Sequence, residues 1–226
     1  MRLPTRIGKG IRYDGAIIIG NFSKSYVEFL SGKIPHTVSL TGYTNAKGGD
    51  SVWYNFNLAG YQLCEYLIQK GHRKIGYVGN NRNYASKEKT QGIISALEDY
   101  GIPVVEKYLT YSEEDFEKYV FPDILEGHGP TGLVCQKDYT AIKLLQFLHG
   151  HGIRVPNDIS VVGYGNTEMS ALCIPALTTM ELHIDYACEM AVALLTKRLH
   201  RPLKPNESIA VDSTLIERDS VRPIGS

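Results

Sequence analysis

The chain has 226 residues and a mass of 25.2 kDa, and its 24 basic and 24 acidic residues cancel to zero net charge. A hydrophobic content of 43% and a charged content of 21% are typical of a globular protein with a sizeable core. A domain that binds nucleic acid through its own surface usually carries a basic surplus or a basic stripe, and neither is visible. The composition therefore argues against a polyanion as the direct partner of this chain.

The cysteines and the apolar pattern favour a cytoplasmic location. The four cysteines stand far apart, lack the spacing of metal ligands and lie among apolar residues (Cys64, Cys135, Cys173 and Cys188). Small buried hydrophobic residues are a better interpretation than a disulfide framework. No apolar run reaches ~18 residues, so no transmembrane helix is predicted. The basic N-terminus is not followed by the hydrophobic core of a secretory signal.

Short apolar runs alternate along the chain with stretches of helical periodicity. Buried strands are predicted at 16–19, 37–40, 75–78, 133–135, 159–162 and 209–211. Helices are predicted from apolar residues at i, i+3, i+4 and i+7 within 63–68, 93–100, 141–148 and 187–195. Gly71 and Gly101 mark helix ends, and Asp138 is a candidate N-cap. This alternation predicts an α/β fold with a parallel sheet covered by helices on both faces.

Three of the predicted strands end in polar or glycine-containing loops. These loops read GNNRNYASKEK after Val78, QKDY after Cys135 and GYGNTEMS after Val162. In parallel α/β sheets, ligands bind outside the carboxyl ends of the strands, where such loops meet. One polar loop is usually only a turn, whereas three that converge predict a binding crevice.

No catalytic or metal-binding pattern accompanies these loops. The chain lacks an HExxH motif, a CxxC motif, a Walker loop and the GxSxG motif of hydrolases. GYGNTE contains two glycines but does not open a long helix with the dinucleotide fingerprint. Glu113, Glu114 and Asp115 are consecutive and would point in different directions, so they predict an exposed helix start. No cofactor, no metal and no enzymatic activity are predicted.

Taken in order, the motifs resemble the effector-binding core of the lactose/galactose-repressor (LacI/GalR) family of bacterial transcription regulators. The matching segments are YDGAIIIG (13–20), SVWYNFNLAGYQLCEYLIQKGHRKIGYVG (51–79), GIISALEDYGIPV (92–104), PTGLVCQKDYTAI (130–142), GIRVPNDISVVGYGN (152–166), IPALTTM (174–180) and LIERDSV (215–221). They cover nearly the whole chain in the family's order and at its spacing.

The resemblance implies a type I periplasmic-binding-protein-like fold. Two α/β lobes, each with a mostly parallel sheet flanked by helices, would be crossed three times by the chain, with the first crossing near Gly71. Residues 1–71 and 179–206 would form an incomplete first lobe, and residues 72–178 and 207–226 the second. A small-molecule effector, a sugar or a sugar derivative, would bind between the lobes. The chain is also expected to form a homodimer and to act on DNA only through a helix-turn-helix head that it does not contain.

The resemblance further implies which residues face the effector. They are Asn21 and Phe22 from the first lobe, and Lys87, Lys89, Lys137, Asp138, Tyr164, Gly165 and Asn166 from the second. Lys89 stands where the family typically has an arginine, Lys137 where it has an asparagine, and Gly165 where it has an aspartate. These replacements weaken carboxylate recognition of a neutral sugar and predict a cationic lip suited to a phosphorylated or acidic sugar. The alternative is that the lysines are solvated surface residues and that Asp138 caps its helix.

Two other functions are compatible with the same segments. A sugar-binding protein of a transport system would share the fold, but the missing secretory signal argues against it. An α/β transferase or hydrolase would need a catalytic residue that these motifs do not include. The leading prediction is the effector-sensing and dimerising core of a transcription regulator.

Overall fold

The structure is a computed structural model, and it describes residues 12–20, 22–41, 49–79 and 83–225. The chain divides into two compact units, each made of two segments. Unit 1 comprises Met1–Tyr54 and His183–Val211, and unit 2 comprises Asn55–Leu182 and Asp212–Ser226. The chain therefore passes from one unit to the other three times.

Unit 1 contains a parallel four-stranded sheet in the order β1-β2-β3-β9. Its strands are β1 (Gly15–Ile19), β2 (His36–Leu40), β3 (Asp50–Tyr54) and β9 (Ser208–Val211). The helices described in this unit are α1 (Lys24–Ser31) and α8 (Ile184–His200). The sequence analysis does not predict β3, because this strand begins with the polar residues Asp50 and Ser51, which are nevertheless buried.

Unit 2 contains a second parallel four-stranded sheet, in the order β5-β4-β6-β7. Its strands are β4 (Ile75–Val78), β5 (Leu109–Thr110), β6 (Gly132–Cys135) and β7 (Ser160–Val162). An antiparallel ribbon pairs β8 (Thr179–Glu181) with β10 (Thr214–Ile216). The long helices of this unit are α2 (Phe56–Gln69), α3 (Tyr84–Asp99) and α6 (Asp138–Gly150). The shorter ones are α4 (Glu113–Asp115), α5 (Phe121–Leu125) and α7 (Glu168–Leu172), with a π-helical turn at Phe116–Val120.

The predicted α/β architecture is confirmed. All six predicted strands form, each with bounds within one residue of those expected. The predicted helix ends at Gly71 and Gly101 also form, with φ angles of 96° and 64°. Glycine adopts this left-handed conformation without the steric cost that a Cβ atom would bring.

Both faces of the unit 2 sheet are buried, as expected for a parallel sheet. Along β6, Val134 packs into the cluster beneath α2 and α3, whereas Leu133 and Cys135 pack into a second cluster with α6. Val162 and Val161 of β7 divide between the two clusters in the same way. Successive residues of a strand point to opposite faces, so this alternation places one helical layer on each side.

Helices α2 and α3 pack closely because each carries a glycine at the contact. A Cβ atom on Gly60 would lie 2.2 Å from the carbonyl oxygen of Lys89, and one on Gly92 would lie 2.0 Å from that of Asn57. No other residue type fits at such distances. This contact accounts for α2 lying in unit 2, whereas the sequence analysis assigns residues 1–71 to the first lobe.

Unit 1 buries a cluster of charged side chains at the start of β3. Arg198 donates from Nε and Nη2 to the two carboxylate oxygens of Asp50, at 2.9 Å each, and Lys204 Nζ donates to Asp50 Oδ1 at 2.7 Å. Burial alone raises the pKa of Asp50, but the hydrogen bonds from Arg198 and Lys204 outweigh it and lower the pKa to about 2. The cluster joins α8 to β3 and to the segment 202–207.

Within the described ranges, no helix combines the length and the apolar character that crossing a bilayer requires. The same residues contain no group of three or more His, Cys, Asp or Glu side chains that could hold a metal ion.

Candidate functional site

The loops that follow β6 and β7 meet at the carboxyl edge of the unit 2 sheet. The backbone nitrogen of Asp138, after β6, donates to the carbonyl oxygen of Tyr164, after β7, at 3.0 Å. Helix α3, which follows β4, reaches the same place through Lys89, whose Nζ donates to the carbonyl oxygen of Gln136 at 2.6 Å. Of the nine predicted site residues, six that belong to unit 2 therefore converge on one edge through α3 and these two loops: Lys89, Lys137, Asp138, Tyr164, Gly165 and Asn166.

Lys89 lies inside this edge and not on its surface. Lys89 is 2% exposed, and its Nζ lies 3.3 Å from the centroid of the Tyr164 ring and 5.5 Å from that of the Phe56 ring. Desolvation lowers the pKa of Lys89 well below its usual value, and the charge of Lys137 acts in the same direction. The prediction that Lys89 contributes to a cationic lip is thus wrong for this structure. The reason is that Lys89 stands three residues before Gly92, on the α3 face that packs against α2.

Asp138 serves neither as an N-cap nor as an open acceptor. Lys137 occupies the N-cap position of α6, without a side-chain hydrogen bond, and Asp138 is the first helical residue. The carboxylate of Asp138 accepts hydrogen bonds from Thr167 N at 2.7 Å, Thr167 Oγ1 at 3.1 Å and Thr179 Oγ1 at 2.6 Å. Asp138 therefore ties the GYGN loop to β8, and the candidate N-cap is corrected to a tertiary anchor.

The two glycines of the GYGN loop make this anchor possible. A Cβ atom on Gly163 would lie 2.4 Å from Asp138 Oδ1, so only glycine lets the carboxylate approach. Gly165 adopts a φ angle of 132°, a backbone conformation that residues with a Cβ atom rarely adopt. Between them, Tyr164 is 5% exposed, and its ring covers the Lys89 amine. The abrupt end of β7 thus has a structural reason besides any role in binding.

Asn166 is also held within unit 2. Its Nδ2 donates to Glu181 Oε2, and its Oδ1 accepts from Arg218 Nη2 at 2.6 Å. Arg218 Nη1 donates in turn to the carbonyl oxygen of Leu177 at 2.7 Å and to Ser170 Oγ at 3.1 Å. Asn166 thereby links the GYGN loop to the ribbon of β8 and β10.

Among the predicted lysines, Lys87 and Lys137 are the two that the structure exposes. In unit 1, Phe22 is 43% exposed, and its ring centroid lies 5.2 Å from that of Tyr26. Asn21 lies outside the described residues. The binding roles of all these residues remain predictions.

Tyr84 is an exposed aromatic residue of this edge that sequence reasoning missed. It is 57% exposed, and its ring stands edge-on to Phe56 at a centroid distance of 6.4 Å. Phe56 in turn lies 6.0 Å from the Tyr164 ring. A signal was present in the sequence, because Asn83 is a residue type typical of an N-cap and places Tyr84 at the start of a helix after a strand-end loop.

Two α/β units that the chain crosses three times, with polar loops at the carboxyl ends of parallel strands, define the class of periplasmic-binding-protein-like folds. The chain belongs to the periplasmic binding protein-like domain family, whose model matches residues 64–221. The predicted resemblance to the effector-binding core of LacI/GalR-type regulators is confirmed by relatives and by solved structures.

One such relative is the HTH-type transcriptional repressor PurR of Yersinia pestis bv. Antiqua (strain Antiqua). It is 31% identical over 220 residues, which cover 93% of this chain and 64% of the repressor. The PurR repressor of Yersinia pestis (strain Pestoides F) is 32% identical over 222 residues with the same coverage. The chain thus spans slightly less than two thirds of the length of these curated relatives.

Solved structures show the same fold. The LacI family transcriptional regulator of Enterococcus faecium with bound ribose has a TM-score of 0.78 and 25% identity, covering 94% of this chain and 81% of its own. The LacI-type transcription regulator of Bifidobacterium animalis subsp. lactis has a TM-score of 0.78 and 26% identity, covering 96% and 82%.

Proposed function

We propose that this chain is the effector-sensing core of a bacterial transcription regulator that responds to a small molecule, a sugar or a sugar derivative. The observation that carries the proposal is the 31% identity over 220 residues to a transcriptional repressor, in a match that covers 93% of this chain. The relatives named above are repressors and LacI family regulators, which favours this function over a transport protein or an enzyme. A regulator of this kind works in the cytoplasm.

The carboxyl edge of unit 2 supplies the groups proposed to contact the effector. Lys137 is exposed there, and helix α3, which reaches the same edge through Lys89, exposes Tyr84 and Lys87 in its first turn. Aromatic rings pack against the apolar faces of sugar rings, and lysine amines donate charge-assisted hydrogen bonds to anionic groups. The ligand proposed for this edge is accordingly a sugar that carries a phosphate or a carboxylate, recognised by two lysines instead of the three expected from sequence.

Calorimetry with ribose and ribose 5-phosphate tests this ligand class. A charge-assisted hydrogen bond contributes ~1.5–3 kcal/mol, so Lys137→Ala should weaken the affinity for ribose 5-phosphate by roughly one to two powers of ten. Lys118→Ala removes another exposed lysine, from the π-helical turn Phe116–Val120, and is the matched control. Tighter binding of ribose than of ribose 5-phosphate, or an equal loss in both variants, would rule out the cationic edge.

The regulator is proposed to contact DNA through a head outside this chain. The zero net charge supports DNA contact through another part of the regulator, because contacts to DNA phosphates require clustered basic residues. In a fluorescence anisotropy titration, the chain alone should bind duplex DNA weakly and without sequence preference. Sequence-specific binding with a steep salt dependence would contradict it.

We propose that the chain forms a homodimer through unit 2. Four large apolar side chains are exposed on α6, on α7 and on the segment that follows α7: Tyr139 (67%), Met169 (58%), Leu172 (73%) and Ile174 (94%). Exposed apolar patches of this kind mark protein interaction sites. A two-fold dimer buries one such patch against its own copy.

A further inference from the structure

A cavity lies between α6 and the segment that contains α4 and the π-helical turn Phe116–Val120. It has a volume of about 150 Å³ and is lined in part by Val78, the last residue of β4. Helix α6 contributes one of its faces, with residues spaced at i, i+3, i+4 and i+7: Thr140, Lys143, Leu144 and Phe147. None of the described lining residues is among those proposed to contact the effector, so what the cavity binds does not rest on the proposed function.

The walls of the cavity are apolar and aromatic. Val78, Phe116 and Leu144 are buried in the core cluster beneath α6, and Phe147 packs against that cluster. The rings of Phe116 and Phe147 stand edge to face, with their centroids 6.1 Å apart and an interplanar angle of 79°. An aromatic ligand would gain the same kind of contact with these two rings, and its apolar surface would be removed from water.

One buried polar residue lines the same cavity. Thr140 is 7% exposed, and its hydroxyl oxygen has no hydrogen-bond partner within the described part of the chain. A buried hydroxyl without a partner destabilises the folded protein, and a ligand that completes the hydrogen bond would remove this cost. Water is a poor occupant, because a buried water needs about two to four polar partners and the other buried side chains of the described lining are apolar.

The exposed lining residues, Glu113, Glu117 and Lys143, form the mouth of the cavity. The amine of Lys143 pairs with the carboxylate of Glu113. This pair is neutral as a whole, so Glu117 leaves the mouth with one net negative charge. A negative mouth and an apolar interior both disfavour an anionic ligand.

We propose that this cavity binds a small neutral aromatic molecule that carries one hydroxyl group and has the size of phenol. The ring of this molecule packs against Phe116, Leu144 and Phe147, and its hydroxyl forms a hydrogen bond with Thr140 Oγ1. A cavity of ~150 Å³ lined by leucine, isoleucine and phenylalanine holds a benzene-sized molecule, so the volume matches a single ring. Small-molecule sites commonly combine apolar walls with a few polar groups that orient the ligand.

An NMR titration of the full chain with phenol and with toluene tests the hydrogen bond. Thr140→Val keeps the shape of the side chain and removes its hydroxyl, so it should weaken phenol at least tenfold and leave the affinity for toluene within twofold. Thr196→Val makes the same change at an exposed position of α8 and should leave both affinities unchanged. Unaltered phenol binding by Thr140→Val, or an equal loss of both probes, would overturn the proposal.

The same titration locates the bound ring. Phenol should shift the backbone amide signals of Phe116, Thr140 and Leu144, because an aromatic ring shifts the resonances of the nuclei beside it. Benzoate should bind at least tenfold more weakly than phenol, since its carboxylate would lose hydration in an apolar cavity. Benzoate binding as tight as that of phenol, shifts confined to other parts of the chain, or no binding of phenol at millimolar concentration would each refute the site.

Discussion

The amine of Lys89 lies 3.3 Å from the centroid of the Tyr164 ring and donates its hydrogen bond to the backbone carbonyl of Gln136. The face of an aromatic ring favours a positive charge, whereas burial disfavours it. Burial prevails here, because desolvation lowers the pKa of Lys89 well below its usual value. The side chain therefore stabilises the edge as a long apolar group with a polar tip.

The first prediction is that Lys89→Met changes how stability depends on pH. The unfolded chain protonates Lys89 below a pKa of about 10.4, but the folded protein does not until the pH is much lower. Between the two pKa values the unfolded state binds more protons, so wild-type stability should rise with pH by up to about 1.4 kcal/mol per unit. Urea denaturation between pH 7 and 10 should show this rise relative to Lys89→Met. Parallel curves for the two proteins would contradict it.

The second prediction concerns the anchor of the GYGN loop. Asp138→Ala removes an acceptor of three hydrogen bonds and leaves the proton of the buried Thr179 hydroxyl without this acceptor. The free energy of unfolding should fall by about 3 kcal/mol, measured by urea denaturation. Glu113→Ala breaks an exposed ion pair with Lys143 and serves as the control, with little effect expected. A similar loss in both variants would show that Asp138 is not an anchor.

The third prediction concerns the ion cluster of unit 1. Asp50→Ala leaves Arg198 buried without its carboxylate partner and Lys204 paired with Glu207 alone, and it should reduce stability by about 3–5 kcal/mol. The pKa of Asp50 is depressed to about 2, so its contribution is complete above a pH of about 4 and is lost as the pH falls through 2. A double-mutant cycle with Arg198→Met measures the coupling. Additive effects of the two substitutions would refute the pairing.

The fourth prediction is a loss of stability in mild acid caused by His72. This residue is 1% exposed, and burial lowers its pKa to about 4. The unfolded chain protonates His72 near pH 6.5, so stability should decrease by up to about 3 kcal/mol as the pH falls from 6.5 to 4. His72→Gln should remove that part of the pH dependence. Titration of His72 near pH 6.5 in an NMR experiment on the folded protein would disprove it.

The fifth prediction tests the proposed homodimer. Leu172→Asp places a charge at the end of α7, on one of the four exposed apolar side chains proposed for the dimer contact. Sedimentation velocity should show a dimer for the wild-type chain and a monomer for this variant, with thermal stability of the protomer unchanged. Leu125→Asp, at an exposed apolar residue of α5, is a control that should remain dimeric. A wild-type monomer at all concentrations would reject dimerisation of this chain.

The strands and the long helices could be predicted from sequence because their signal is local. The apolar run at 75–78 and the helix end at Gly101 follow from periodicity and from backbone conformation over a few residues. β3 was missed because its first residues, Asp50 and Ser51, are polar. Asp50 is buried through partners 148 and 154 positions away, Arg198 and Lys204, which no local pattern reveals.

The sequence by itself determined the α/β architecture and the family, because these depend on hydrophobic periodicity and on the order of motifs. Only the tertiary structure decided which polar side chains of the site are exposed to solvent. Lys89 donates a hydrogen bond to a carbonyl 47 residues away, and Asp138 accepts one from a hydroxyl 41 residues away. The local sequence around a polar side chain does not indicate whether folding will bring a distant hydrogen-bond partner to it. Burial and hydrogen bonding between distant segments therefore separated the anchoring residues from the exposed lysines, Lys87 and Lys137.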